Sequence, residues 1–404
     1  MRHTALFSAS AIVASMLAVA HAAPLAPEAP QASAPQAPAP QAPAPQAPAS
    51  APAPQAPRQL PDPTPPDNLP RPSTTDPRAT LKAGAVGQKA GEAAWNIELV
   101  ANLPKPEGFA DEQPLGYAPP PPTPGAPRTP PNPNALSFTN SDLAFKDNMV
   151  VVGNYHGFNV YNIERANKPQ RLASVVCPGG QGDVSIWGNL LFMSVEQTRG
   201  RLDCGLQGVT ETVSKDRFRG VRIFDITDMK NPKQVGAVQT CRGSHTHTLV
   251  PDVNDKSHIF LYASGTGQVR PGEELVGCSA KEAKDDPNTS LFSIDVIEVP
   301  IAHPDQARIV NQPRIFMNDL GNIAGLWMGG DHGDRTQRTS VTNQCHDITV
   351  YSEIGLAAGA CSGNGILLDI KDPRNPKRLD FASDEGFAYW HSATFNNDGT
   401  KVVF

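Results

Sequence analysis

The segment Arg222–Val238, RIFDITDMKNPKQVGAV, is written four times over with variation, and repetition at this period confines a chain to copies of one supersecondary unit packed on each other. The other copies start at Asn159 (NVYNIERANKPQRLASV), Asp295 (DVIEVPIAHPDQARIV) and Leu367 (LLDIKDPRNPKRLDFA). Each joins an alternating apolar run, a polar turn at Asn-Pro or Asp-Pro, and a second short apolar run. The third copy is the most diverged, because IEVPIAHPDQ loses the usual turn. Aligned on the turn, the copies recur roughly every 60 to 75 residues, so insertions lengthen each unit.

Alternation with period two predicts strands, and each copy offers four. The first has DLAFKDN, MVVVGN, FNVYNI and RLASVV; the second DVSIWGN, LLFMSVE, GVRIFDI and KQVGAV; the third HTLVPD, HIFLYAS, LFSIDVIEV and ARIVNQ; the fourth HDITVYSE, IGLAAGA, GILLDI and KRLDFA. A lone four-stranded sheet cannot bury both faces, so neighbours must pack around an axis. The expectation is an all-β fold, a β-propeller of four-stranded blades over residues 93–404. Four blades are complete, and HSATFNNDGTKVVF (His391–Phe404) supplies part of a fifth, which reads as an incomplete ring and a truncated C-terminus. AAWNIELVANLP (Ala93–Pro104) has one strand's worth of alternation and is expected to complete the last blade.

Roughly three quarters of the 42 prolines precede Asn134. Residues 1–22 have the layout of a cleaved secretory signal: a basic start at Arg2, an apolar stretch from Ala5 to Ala20, and a small-x-small site at Ala20-His21-Ala22. Residues 23–92 form an Ala/Pro/Gln-rich linker unable to bury a core, expected to be a disordered, semi-rigid stalk, and residues 117–134 a Pro-rich surface loop. The chain is therefore expected outside the cytoplasm, as a periplasmic, cell-surface or secreted protein. No apolar run is long enough to span a bilayer. The formal net charge of -6 leaves no basic footprint for nucleic acid.

Six cysteines, Cys177, Cys204, Cys241, Cys278, Cys345 and Cys361, all lie beyond the Pro-rich part. An even number in an exported chain argues for disulfides, and repeat boundaries group them as sequence neighbours, one of fifteen connectivities. No C-x-x-C marks a zinc site.

The stretches GVRIFDITDMKNPKQVGAV and GILLDIKDPRNPKRLDFA resemble the LVIVD repeat of bacterial exported β-propeller proteins, over roughly Trp95 to Phe404. The resemblance implies a propeller in an extracytoplasmic location. It implies no activity, because the family is defined by its repeat.

Chemistry concentrates where the first strands begin. Aligning SDLAF, GDVSI, HTLVP, HDITV and HSATF puts His247, His346 and His391 in one column and Asp142, Asp183 and Asp347 in the next. Residues at one position of successive inner strands face a common axis, so the three imidazoles are candidate ligands for copper or zinc. Asp142, Asp183, Asp347 and His245 would then orient ligands or line the channel, with the GGDHGD loop (Asp331, His332, Asp334) nearby. The same imidazoles serve equally as hydrogen-bonding locks between blades. No G-x-S-x-G elbow or phosphate loop appears. Two functions follow. The favoured one is an extracytoplasmic binding, interaction or surface module for a protein or glycan partner. The alternative is a copper- or zinc-dependent propeller enzyme, an oxidase or hydrolase.

Overall fold

A computed structural model describes residues 94, 96–103, 106, 109, 140–333 and 337–404, all within one compact unit, Pro57–Phe404. The signal segment 1–22, the linker 23–92 and loop 117–134 lie outside the described residues, as does Asp334. The described part is all-β. Sheet one holds β1 (Asn140–Lys146), β2 (Met149–Asn154), β3 (Gly157–Asn162) and β4 (Gln170–Val176). Sheet two holds β5 (Val184–Trp187), β6 (Leu190–Val195), β7 (Gly220–Asp225) and β8 (Lys233–Gln239). Sheet three holds β9 (Thr246–Pro251), β10 (His258–Ser264), β11 (Asp295–Pro300) and β12 (Arg308–Asn311). After a two-stranded pair, β13 (Gly330–Asp331) and β14 (Arg338–Thr339), sheet four holds β15 (Cys345–Tyr351), β16 (Leu356–Cys361), β17 (Asn364–Asp369) and β18 (Lys377–Ala382). A last pair, β19 (Thr394–Phe395) and β20 (Val402–Val403), follows.

Each large sheet is an antiparallel meander in sequence order, and the first strands β1, β5, β9, β15 and β19 lie each against the next. Apolar layers fill the spaces between sheets. Phe158, Leu191, Met193 and Phe224 pack between sheets one and two; Phe192, Ile223, Leu261 and Ile297 between two and three; Phe260, Tyr262, Ile348 and Leu368 between three and four. Covered on both faces, β6 is buried along its whole length, so its sequence LLFMSV is nearly unbroken apolar rather than alternating.

The structure explains why the seventeen letters recur. In each sheet the third and fourth strands slip register once, leaving one extra residue on the outer strand: Leu172, Val235, Val310 and Leu379. This is a β-bulge, which sharpens the local twist. The first three bulge residues turn apolar side chains into the layers between sheets. The polar turn is held by side chains. Asp225 Oδ1 accepts from the Thr227 N–H at 2.8 Å, and Asp228 accepts from the Lys230 N–H at 2.9 Å and Asn231 Nδ2 at 2.7 Å. In sheet four Asp369, Asp372 and Asn375 repeat this pattern. The diverged third copy uses a 3-10 turn instead, Pro304–Gln306.

The described residues 96–103 join no sheet, and Ile97 and Val100 are exposed; Ala93, Trp95 and Pro104 of the segment expected to complete the last blade lie outside the described residues. LFSIDVIEV is shorter than expected: its strand begins at Asp295, because Phe292 turns the chain with a φ of 66°.

The two ends of the sheets differ. Short connections join β1 to β2 and β5 to β6, while the long connections, residues 196–219, 265–294 and, around the β13–β14 pair, the described parts of 312–344, leave the sheets at the opposite end, where the first strands start. Disulfides Cys177–Cys204, Cys241–Cys278 and Cys345–Cys361 all lie at that end, and they are the sequence-neighbour pairs. Among the described residues no helix is long and apolar enough to cross a membrane.

Candidate functional site at the first-strand end

Two polar networks form where the first strands begin. In the first, Asp183 stands just before β5 and His247 on β9. The His247 ring is fully enclosed: Nε2 lies 2.6 Å from Ser185 Oγ, and Nδ1 lies 2.8 Å from Ser194 Oγ and 2.9 Å from Asp183 Oδ2. The same carboxylate accepts from the His247 backbone N–H at 2.9 Å. Burial works against charge on Asp183, yet these contacts with His247 and a shared hydrogen bond with Asp142 hold its pKa below the usual value. Asp142 takes the other share. Burial first, and the Asp183 charge second, push it up to about 6.

That displacement has a sign. A carboxyl whose folded pKa rises from 3.8 to about 6 stabilises the fold below pH 3.8 and loses that contribution as pH rises through 6. Asp142→Asn is therefore expected to melt higher than the wild type at pH 8, with the gap closing by pH 4. A gap independent of pH would show that the two carboxyls do not share a proton.

The second network runs through His245, His346 and His391. Glu196, at the end of β6, sets Oε2 2.6 Å from His245 Nδ1. His245 Nε2 and His346 Nε2 are 2.9 Å apart, with the rings at 69°. His346 Nδ1 lies 2.9 Å from the His391 carbonyl, and the His391 ring stacks on His346 at 3.7 Å between centroids. A carbonyl only accepts, so His346 Nδ1 is the donor and its Nε2 is the bare nitrogen while the ring is neutral. Burial, then the neighbouring His245 and His391, lower His346 to about 4. His245 moves the other way, raised chiefly by its hydrogen bond to Glu196. Asp347 lies within electrostatic reach of His245, His391 and Asp183, and burial raises its pKa. Tyr389, half exposed, stands at 6.1 Å from the His346 ring with Phe387 exposed beside it in sequence.

The expected triad of His247, His346 and His391 therefore does not converge. His247 has both ring nitrogens engaged in the first network, and among the described residues no three of His, Cys, Asp and Glu are grouped so as to hold an ion. The cause is a register slip. In β9, Thr246 and His247 pair in step with Ser264 and Ala263; in β15, Cys345 pairs with Cys361 and Asp347 with Ala360, leaving His346 as an extra residue. One residue of slip turns a side chain to the other face, so His346 meets His245 instead. In the GGDHGD stretch His332 has other partners: it stacks on Trp327 at 4.0 Å and is 2.6 Å from Thr339 Oγ1. Glu196, Ser185 and Ser194 were not legible as site residues. Glu196 follows a second strand, so a comparison of first strands passes over it.

No family model matches the chain, and no curated protein matches it. Among solved structures it is similar to a functionally unknown protein from Desulfotomaculum acetoxidans (11% identity, 66% of this chain and 62% of that one, TM-score 0.38). It is also similar to a hypothetical selenium-binding protein from Sulfolobus tokodaii (10% identity, 65% and 56%, TM-score 0.39). A protein from Lactobacillus plantarum matches at 10% identity over 60% of this chain and 71% of that one, with a TM-score of 0.30. The chain thus spans about three fifths of the length of the first two solved structures it resembles.

Proposed function

We propose that the chain is an exported β-propeller binding module of the LVIVD-repeat kind, and that it takes a glycan at the end where its first strands begin. The observation that carries this reading is the asymmetry of the two ends. The long loops, the three disulfides and the paired carboxyl and imidazole networks gather at one end. Scaffolds of short-turned strands place their binding groups on such loops. Side-by-side four-stranded meanders meeting through their first strands support the propeller architecture. Disulfides support a compartment outside the cytoplasm, and the stalk of residues 23–92 would hold the module away from its attachment point.

Glycan is preferred over protein because the part-exposed ring of Tyr389 stands 6.1 Å from the ring of His346, whose sequence neighbour Asp347 carries a carboxyl able to take a hydroxyl. Aromatic faces take apolar sugar faces while acceptors and donors take hydroxyls. A glycan array probed with the mature protein is the test. Binding is expected to fall at least tenfold in Tyr389→Ala and Asp347→Asn and to persist in Lys256→Ala, at the opposite end of the sheets. Binding that survives both first variants, or a protein ligand in place of a sugar, would overturn the reading.

A further inference from the structure

The facing imidazoles carry an inference that does not depend on the sugar. Each has its outer nitrogen engaged: His245 Nδ1 by the Glu196 carboxylate at 2.6 Å and His346 Nδ1 by the His391 carbonyl at 2.9 Å. Both partners accept, so in the neutral rings both Nε2 atoms carry lone pairs, and the two nitrogens stand 2.9 Å apart on rings that meet at an angle, with centroids 4.6 Å apart. Two lone pairs at that distance require a positive centre between or beside them, either a proton or a metal ion. A histidine that binds metal donates its other N–H to a carboxylate or a backbone carbonyl, which fixes the tautomer and raises its basicity. Both forms of that support are present here, one on each ring.

We propose that His245 and His346 are two adjacent ligands of a copper(II) site, oriented by Glu196 and the His391 carbonyl. Distance selects the metal. Two nitrogens each about 2.0 Å from an ion stand about 2.8 Å apart when they subtend a right angle and about 3.3 Å at a tetrahedral angle. The observed 2.9 Å fits the right angle of a tetragonal ion, and copper(II) binds tightest of the divalent metals that adopt it. Zinc, with its tetrahedral preference, would need the rings to part by about 0.4 Å. Asp183 and Asp347 act on His245 through their negative charge, which also favours a cation at this place. The protein supplies two nitrogens and leaves the other positions to water or a small ligand. The ligand set differs from the one expected from sequence: His245 replaces His247, and His391 contributes its carbonyl to orientation.

The test uses the full mature protein, stripped with chelator, dialysed against copper(II) and examined by elemental analysis and electron paramagnetic resonance. One copper per chain is expected, with hyperfine structure from two nitrogens. His245→Ala and His346→Ala should each lose the stoichiometric ion, and Glu196→Gln should weaken affinity by about 10- to 100-fold while keeping the stoichiometry at saturation. His346→Gln, which retains a donor toward the His391 carbonyl, serves if the alanine variant does not fold by near-ultraviolet circular dichroism. His258→Gln, at the far end of β10, should bind as the wild type does. A wild type that takes up no copper, or nitrogen hyperfine structure that persists in the His245/His346 double variant, would overturn the proposal.

Discussion

Reduction of the three disulfides is expected to unfold the protein or bring it close to unfolding at room temperature. The bonds join residues 27, 37 and 16 positions apart. Loop-closure entropy in the unfolded chain then assigns each about 3 to 4 kcal/mol, about 10 kcal/mol together. A folded domain has only about 5 to 15 kcal/mol to lose. The largest single share belongs to Cys241–Cys278, and its double serine variant should melt about 7 to 15 °C lower. The consequence reaches the site, because Cys177–Cys204 tethers the loop of residues 196–219 that begins with Glu196. Thermal melting followed by circular dichroism, with six free thiols counted in the reduced sample, checks this. An unchanged midpoint after full reduction would show that the inter-sheet layers alone hold the fold.

Strand positions in the sheets were legible because the repeat writes each constraint as a letter. Leu172, Val235 and Val310 are bulge residues that fill the spaces between sheets, while Asp225, Asp228 and Asn231 close the turn between β7 and β8. Alternation alone does not make a strand: Ile97 and Val100 are exposed, and the described residues 96–103 join no sheet. The site was half legible. Comparing first strands found Asp142, Asp183, His346 and His391, and adjacency in sequence found His245. What no comparison of letters reveals is the single extra residue at His346, which is a property of pairing between β15 and β16. That slip exchanges His247 for His245 and turns a supposed column of three into two separate networks. Glu196 is reached only through the fold, since it meets His245 from 49 residues away.

The loops at this end are also joined by buried charge, and Glu274→Ala is expected to cost about 3 to 5 kcal/mol. Glu274, fully enclosed in the loop between β10 and β11, pairs with Arg217 before β7 and with Arg270 Nε at 2.5 Å, and its carboxylate accepts from the Ser214 N–H at 3.0 Å. Both guanidiniums are themselves nearly enclosed. Removing the carboxylate leaves two like charges facing each other out of water, which costs more than the lost bonds do. Arg270 also donates to Gln239 Oε1 and the Arg217 carbonyl, so its displacement loosens sheet two from the loop of sheet three. The pH dependence has a definite direction. Burial opposes the charge on Glu274, but the Ser214 N–H, Arg270 and Arg217 outweigh it and hold the pKa below 4.5. A depressed carboxyl stabilises above its unfolded pKa and loses that contribution as pH falls through the folded value. The melting gap between wild type and Glu274→Gln should therefore be full at pH 7 and shrink below pH 4.5, whereas Glu273→Ala, on the exposed side of the same loop, should melt as the wild type does at both. Equal midpoints for Glu274→Ala and wild type at pH 7 would mean that water reaches the two guanidiniums and that the loops are held together by the Cys241–Cys278 bond instead.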